Sequence, residues 1–316
     1  MVLSTNIPLS RRKHNLINYN SNILLLGSCF SENIGAKLAY HKFKTLENPF
    51  GILFHPKAIE NLILKSVNSE TYTEDDIFLH NERWHCFEAH STLSSTNKEE
   101  LLSNLNLAVN QTSTAIQNAS HIIITLGTAW IYREIVTDSI VANCHKVPQK
   151  KFLKEILSVT EISESLEAIV ALIKSINSKA SIIFTVSPVR HIKDGFMENQ
   201  RSKSHLLTAI HNIVEPRQNS FYFPSYEIMM DELRDYRFYA EDMIHPNKTA
   251  INYIWEKFTS VWFDENSFTT MKEVDTIQKG IQHKPFNPNS EAHQQFFKKL
   301  QQKKETLIKA FPHITF

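Results

Sequence analysis

Glycine and cysteine are both scarce in this sequence of 316 residues, which contains six glycines and three cysteines. Neither G-x-G-x-x-G nor G-x-x-x-x-G-K-[ST] occurs, so the glycine-rich loops that hold the phosphates of nucleotides are excluded. The three cysteines, Cys29, Cys86 and Cys144, are too few and too widely separated for a disulfide framework. We therefore expect reduced thiols and a cytoplasmic protein.

Charge of one sign is not in excess either, and no long apolar run is present. Lys and Arg total 34 and Asp and Glu total 33, a balance that does not suit a protein that follows a nucleic-acid backbone or binds an anionic membrane. The basic residues 11–13 are not followed by the apolar core of a signal peptide, and no stretch approaches the ~20 apolar residues of a membrane span. We expect neither a nucleic-acid nor a membrane partner, and the sequence gives no prediction of oligomeric state.

The remaining composition is that of an ordinary folded protein. Hydrophobic residues make up 42% and charged residues 21%, which excludes disorder and is enough for a large core. The length favours one enlarged domain over two full ones. We predict a main domain over residues 1–262 with an insertion near residues 68–96, and a helical extension over residues 263–316 that packs on it.

Short apolar runs alternate with longer amphipathic patterns along the chain, and this alternation predicts the architecture. The predicted strands cover residues 23–26, 43–46, 121–126, 182–186 and 221–223. The predicted helices cover residues 31–40, 55–67, 98–118, 161–177, 206–214, 248–258 and 291–310. Because repeated strand–helix units form a parallel sheet with helices on both faces, we predict an α/β three-layer sandwich with a flavodoxin-like sheet of about five strands. Functional residues of such sheets gather at the carboxyl ends of the strands.

The first candidate functional residue is Ser28, in the segment Leu26-Gly27-Ser28-Cys29-Phe30. It falls at a strand-to-helix turn, where its hydroxyl projects at the carboxyl edge of the sheet. Its own N–H lies near a helix N-terminus, where it can face a developing oxyanion. A serine hydroxyl is a poor nucleophile unless a base accepts its proton, so a partner is required. The competing interpretation is that Ser28 only caps the helix that follows.

The second candidate segment is Asp242-Met243-Ile244-His245-Pro246, just before the last core helix. This position predicts His245 as the N-cap and Pro246 as the first helical residue. An aspartate three residues before a histidine can accept a hydrogen bond from Nδ1–H, which leaves Nε2 free to take a proton from serine. The competing interpretation is a surface aspartate and a capping histidine before a helix-starting proline.

The chain order of these segments, with Ser early and Asp-x-x-His late, resembles that of the SGNH (GDSL-like) hydrolase superfamily. Gly27-Ser28-Cys29-Phe30 followed by Asn48-Pro49-Phe50-Gly51 resembles a narrower group within it, the GSCFA family of bacterial proteins. The resemblance covers roughly residues 20–260. Further similar stretches are Thr125-Leu126-Gly127-Thr128-Ala129-Trp130, Asn143-Cys144-His145-Lys146, Val186-Ser187-Pro188-Val189-Arg190 and residues 235–242.

This resemblance implies a serine-dependent ester hydrolase or acyltransferase that needs no cofactor. Ser28 would attack the ester carbonyl, His245 would carry the proton, and Asp242 would orient His245. The expected partner is a small-molecule ester, with an acylated sugar or lipid among the possible substrates. Water or a second alcohol would resolve the acyl-enzyme, and the sequence does not choose between these two acceptors.

One departure from the superfamily pattern concerns the oxyanion hole. Members carry Gly-x-Asn-Asp after the third strand, but here Ala129 and Trp130 stand where the Asn and Asp are expected. The N–H groups of Ser28 and Gly51 are two expected donors. For the third we expect Asn143, with Thr128 and Asn48 as alternatives, and we place the substrate-binding residues at Asn48, Thr128, His145 and Arg190.

Three alternatives compete with this interpretation. Cys29 is a second potential nucleophile, since a thiol at a helix N-terminus is activated; we expect a small buried residue instead. His80, His85 and His90 recur every five residues, but they lack the closer spacing of zinc ligands, and we predict no metal. The alternative function is a non-catalytic binding or scaffold protein, which the altered Gly127-Thr128-Ala129-Trp130 segment favours and the retained Ser, Asp and His oppose.

Overall fold

The computed structural model describes residues 5–316 as alternating strands and helices. The strands are β1 (Asn22–Gly27), β2 (Lys44–Glu47), β3 (Phe78–His80), β4 (Arg83–His85), β5 (His121–Leu126), β6 (Trp130–Glu134), β7 (Ile140–Val141), β8 (Phe152–Ile156), β9 (Ser181–Val186) and β10 (Ser220–Tyr222). The helices are α1 (Cys29–Tyr40), α2 (Pro56–Asn68), α3 (Lys98–Asn118), α4 (Val159–Ile176), α5 (Phe196–Ile213), α6 (Ser225–Glu227), α7 (Lys248–Trp262), α8 (Glu265–Gln282) and α9 (Glu291–Ala310).

Five parallel strands form the central sheet in the order β10-β9-β5-β1-β2. Counted along the chain, this is the 2-1-3-4-5 order of flavodoxin-like folds, which confirms the predicted sheet. The strand order reverses between β1 and β5, whose carboxyl ends are Gly27 and Leu126. Ligands of such sheets bind in the crevice at this reversal, so the turn after Gly27 occupies the position expected of a functional site.

Helices cover both faces of the central sheet, so both faces are buried. Neighbouring residues of each strand point to opposite faces. Leu24 and Leu26 face a core formed with α2, α3, α4 and α5, whereas Leu25 faces a second core formed with α1 and α7. All six residues of β5 are buried, as its uninterrupted apolar sequence predicts for a central parallel strand. These layers confirm the predicted three-layer sandwich.

The last 52 residues add two helices to the α1–α7 face. Met271, Val274 and Ile277 of α8 join the same core cluster as α1 and α7, and Leu300 and Leu307 of α9 pack onto them. The predicted extension therefore shares the core of the main domain. Helix α9 has the predicted bounds, but α8 was not among the predicted helices.

Two small antiparallel units lie outside the five predicted strands. The segment near residues 68–96 contains the β3–β4 hairpin, and β6 pairs with both β7 and β8 in a three-stranded sheet. The N–H of Ala142 donates to Phe87 O at 2.8 Å and thereby joins the two units. Their strands are only two to five residues long and mostly half-exposed, so they lack the apolar runs from which the central strands were predicted.

Candidate functional site

The turn after β1 brings Ser28 to the sheet edge through an unusually close approach of two strands. Gly27 has φ +129°, and a Cβ there would lie 2.1 Å from Thr125 O of β5, so only glycine fits. Ser28 N–H donates to Thr125 O at 3.0 Å. Ser28 Oγ accepts the Phe30 N–H at 3.3 Å and caps α1, and the whole residue is 0% exposed. The capping role and the edge position therefore coexist in this serine.

The segment before α7 holds His245 through a hydrogen-bonded carboxylate. Asp242 Oδ2 accepts the His245 Nδ1–H at 2.6 Å, and Oδ1 accepts the main-chain N–H groups of His245 and Ile244 at 3.0 and 2.9 Å. These hydrogen bonds, led by the His245 N–H, lower the pKa of Asp242 to about 2. Both side chains are about half exposed, at 45% and 48%. Since Nδ1 is bonded to the carboxylate, the tautomer leaves Nε2 as the free, basic nitrogen.

Helix α7 begins at the predicted residue, Lys248, but the prediction of His245 as its N-cap is wrong by two residues. Asn247 is the N-cap of α7, and its Oδ1 accepts the N–H groups of Thr249 and Ala250 at 3.0 and 3.1 Å. Asn is a stronger N-cap than His, and the His245 ring is already engaged by Asp242. His245 therefore lies in a loop that precedes the helix.

Arg190, which follows β9, docks the Asp242–His245 segment on the sheet. Its N–H donates to Ile244 O at 3.2 Å, and its guanidinium lies 4.0 Å from the centre of the Tyr239 ring. The next residue, His191, is near both sides of the site. His191 Nε2 is 3.2 Å from where a Cβ on Gly127 would stand, and burial, followed by the positive charges of Lys203 and of a protonated His245, lowers its pKa.

Ser28 and the Asp242–His245 pair thus share the carboxyl edge of the sheet, but they are not hydrogen-bonded to each other. In the part of the chain that the structure describes, Ser28 Oγ is bonded to Phe30 N–H and to no atom of His245. The two halves of the predicted triad are brought to one edge and stay unconnected there.

The loop after β2 supplies a side-chain amide that is hydrogen-bonded to the residue before Ser28. Asn48 Oδ1 accepts the Gly27 N–H at 2.9 Å, while Asn48 Nδ2 is buried and has no hydrogen-bond partner. The Gly51 N–H, a predicted oxyanion donor, donates to Asn48 O at 2.7 Å. Both predicted main-chain donors, at Gly51 and Ser28, are therefore engaged by carbonyl groups in this structure, whereas the Asn48 amide has N–H groups to spare.

Asn143 and His145 lie where the two antiparallel units contact each other. Asn143 Oδ1 accepts the His145 N–H at 2.9 Å, and its own N–H donates to Phe87 O at 3.2 Å. His145 is 4% exposed, with Nε2 2.7 Å from Cys86 O and Nδ1 3.2 Å from Ser91 Oγ. Burial lowers the pKa of His145 to about 4. It is thus a neutral residue that ties the segment after β7 to the insertion.

Thr128 and Ala129, in the segment that departs from the superfamily motif, are held by α5. Thr128 Oγ1 is 3.1 Å from Ser202 Oγ and accepts the Trp130 N–H at 3.0 Å. Ser202 Oγ also accepts the Ala129 N–H at 2.8 Å, and Ala129 is fully buried. The segment is therefore fixed in place by side chains of α5.

Lys203, the next residue of α5, is a member of this site that sequence reasoning missed. It is 0% exposed, and Nζ donates to Gly127 O and Ser187 O, both at 2.7 Å. Burial lowers its pKa to about 7. A signal was available in the sequence, because Lys203 falls on the buried stripe of α5 with Asn199, Leu206 and Ile210, at helical spacing.

Two family models account for most of the chain. The GSCFA family model matches residues 22–258, which include all five strands of the central sheet. The chain belongs to the GSCFA family. A second model, the C-terminal domain of GSCFA domain proteins, matches residues 274–316, which cover α9 and the end of α8. A comparison with curated proteins gave no match.

Cys29 in this GSCFA-family chain does not have the features of an activated thiol. Burial and the nearby Glu32 raise its pKa, so the thiol is protonated near neutral pH. The histidines do not assemble a metal site: within residues 5–316, no three His, Cys, Asp or Glu side chains are grouped as metal ligands. Among the helices described, none has the length and apolar character needed to cross a membrane.

Proposed function

We propose that this GSCFA-family chain is a serine-dependent ester hydrolase or acyltransferase of the SGNH type. The observation that carries the proposal is the 2.6 Å hydrogen bond from His245 Nδ1 to Asp242, on the same sheet edge as Ser28. A carboxylate that fixes an imidazole with Nε2 free is the arrangement that activates a serine hydroxyl.

In the proposed reaction, Ser28 Oγ attacks the carbonyl carbon of an ester while its proton passes to His245 Nε2. The tetrahedral oxyanion then collapses, the bond to the leaving alcohol breaks, and His245 returns the proton to that alcohol. Water or a second alcohol attacks the acyl-enzyme in the same way and releases an acid or a new ester. Throughout, Asp242 holds the ring and stabilises the imidazolium.

The Ser28 hydroxyl has to become accessible to substrate and to His245 for this reaction to begin. It is 0% exposed and accepts the Phe30 N–H. Because a hydroxyl can accept one hydrogen bond and donate another, the cap does not use up the proton that passes to His245. Catalytic hydrogen bonds also commonly tighten only when substrate is bound.

The free N–H groups of the Asn48 amide make it the first candidate for the side-chain donor of the oxyanion hole, ahead of Asn143. Asn48 is bonded directly to Gly27, whereas the hydrogen bonds of Asn143 lead to His145 and Phe87. An amide donor preorganised beside the nucleophile is what the missing motif asparagine would have supplied.

The proposed substrate is a small ester, and the proposed compartment is the cytoplasm. Arg190 and Thr128 lie on the same edge and are the candidate substrate contacts, with an acylated sugar or lipid as possible ligands. All three cysteines are unpaired, which suits a reducing compartment.

A second candidate function is a non-catalytic binding or scaffold protein of the same fold. The observation that favours it is the state of Ser28, which is fully buried and bonded to the main chain rather than to His245. In that case the Asp242–His245 pair would be a structural link before α7.

Covalent labelling with a fluorophosphonate probe distinguishes the two functions. Activated Ser28 should form a phosphonyl adduct at a residue that peptide mapping identifies, and His245→Ala should slow labelling by about 10³-fold or more. Ser31→Ala is the matched control, because Ser31 lies in the same turn with its hydroxyl bonded to Leu26 O. Adducts elsewhere, or none on folded protein, would contradict the proposal and favour the scaffold.

A further inference from the structure

Lys203 is a fully buried lysine that forms no ion pair with an acidic side chain of residues 5–316. Among residues 5–316, the hydrogen-bond acceptors of its Nζ are the carbonyl oxygens of Gly127 and Ser187, both at 2.7 Å. These carbonyls lie just beyond the ends of β5 and β9. The ammonium group therefore bridges two neighbouring strands at the edge where Ser28 lies.

A buried ammonium group without a carboxylate lowers the stability of the fold, because the charge loses its hydration and gains no opposite charge. This loss of hydration lowers the pKa of Lys203. An apolar side chain of similar length would fill the same space on the buried stripe of α5 without this loss. Packing alone therefore does not account for a lysine at this position.

Lys203 lies beside the Ser28-Cys29 turn. The Ser28 N–H donates to Thr125 O at 3.0 Å, and Lys203 Nζ donates to Gly127 O, two residues further along the chain. Burial and Glu32 raise the pKa of the Cys29 thiol, and the charge of Lys203 opposes them. An ammonium group has three hydrogens, and the two carbonyls account for two of them.

The other groups around Lys203 do not neutralise it. His191 is kept neutral by burial and by the charges of Lys203 and His245. The Tyr226 ring lies 5.8 Å from Nζ, and burial raises the pKa of its hydroxyl. Glu32 of α1 is the acidic group that acts on Cys29. Lys203 is thus a positive charge whose described neighbours His191 and Tyr226 are neutral.

We infer that Lys203 is a positioning residue of this site, which joins the ends of β5 and β9 and places a positive charge beside the Ser28-Cys29 turn. Negative charge that forms at the turn is stabilised by it. At Cys29 that charge is a thiolate, and this part of the inference does not depend on the proposed function. At Ser28 it is the oxyanion of ester cleavage, and that part rests on the proposed function.

Alkylation of Cys29 tests this inference, because a cysteine reacts with iodoacetamide as the thiolate and not as the thiol. The rate of alkylation is measured against pH by peptide mapping in the wild type, Lys203→Met and Lys203→Gln. Gln keeps N–H donors for the two carbonyls without the charge, and Met removes both. Lys193→Met is the matched control, because the Lys193 charge lowers the pKa of Cys144 instead.

Both Lys203 variants should alkylate Cys29 about tenfold or more slowly below pH 7, with Cys144 unchanged, and Lys193→Met should show the reverse selectivity. An unchanged Cys29 rate in the folded Gln variant would overturn the inference, because it would reduce Lys203 to a hydrogen-bond donor.

The wild type supplies a test that does not depend on the variants folding. Because Lys203 loses its proton at a pKa of about 7, the rise of the Cys29 rate with pH should flatten just above pH 7 and then resume. A rise with no such interruption would contradict the inference. Fluorophosphonate labelling of Ser28 reports the serine chemistry separately, so a Cys29 response without Ser28 labelling would contradict the proposed function alone.

Discussion

Asn48 Oδ1 accepts the Gly27 N–H at 2.9 Å, and Leu53 N–H donates to Gly27 O at 3.0 Å. The loop after β2 is therefore tied to both polar groups of the glycine that precedes Ser28. Asn48 has φ +39°, a left-handed conformation that Asn tolerates better than most residues. Its buried Nδ2 is left without a partner, at a cost of about 1–3 kcal/mol, which a bound oxyanion would remove.

Replacing the Asn48 amide should impair turnover more than ground-state binding. Asn48→Asp keeps an acceptor for Gly27 N–H and loses the N–H donor, so kcat for a chromogenic ester should fall by ~10²–10³ with KM nearly unchanged. Asn143→Ala is the control and should have little effect on kcat. If the loss follows Asn143, or is confined to KM, Asn48 does not hold the oxyanion.

Gly27 and Gly195 form a matched pair for testing the close approach of β1 and β5. Both have positive φ, +129° and +103°, but a Cβ on Gly27 would meet Thr125 O at 2.1 Å and one on Gly195 would meet nothing within 4 Å. Gly195→Ala should cost about 1–3 kcal/mol from backbone strain alone. Urea denaturation should give a clearly larger loss for Gly27→Ala, and equal losses would show that the contact is unimportant.

Buried histidines should make the fold sensitive to acid. His55 caps α2, with Nδ1 3.1 Å from Ala58 N and Nε2 3.1 Å from Val141 O, and burial lowers its pKa to about 4. Unfolded histidine takes up a proton near pH 6.5, so the full stability is present above that pH and is lost as pH falls towards 4. The loss for His55 amounts to about 3 kcal/mol.

The control for the acid effect is His55→Asn, which still caps a helix but does not titrate. Urea denaturation between pH 7 and 4 should show a shallower loss of stability in this variant than in the wild type. Because His121 and His145 also have pKa values lowered to about 4, part of the loss should remain. Identical pH profiles would mean that His55 is not held neutral by the fold.

The parts of the fold that the sequence predicted are those with an uninterrupted local pattern. Helices α3 and α9 and strand β5 have the predicted bounds, since each has a regular apolar pattern and a clear start and stop. Helix α5 begins at Phe196, ten residues before its predicted start, because its first half is polar. Helix α8 was missed for a similar reason, since few of its residues are buried.

The candidate site was predictable where its contacts are local in sequence. The three-residue spacing of Asp242 and His245 predicted their hydrogen bond, which is present. Lys203 and His191 were missed, because their burial depends on where α5 and the segment after β9 pack against the ends of distant strands. Cleft residues whose chemistry comes from desolvation are visible only once the fold is known.

The opposite orientation of Leu24 and Leu25 in β1 constrains how this chain tolerates insertions and deletions. Removing one residue between Asn22 and Gly27 would turn the side chains of β1 towards the opposite cores. It would also shift Ser28 by one residue in its register with β5. A two-residue change would restore the faces but would move the serine by about 7 Å along the strand. We therefore expect changes of length to be tolerated best in loops such as the one joining α4 to β9, at the edge remote from Ser28, where the spacing of the site does not depend on them.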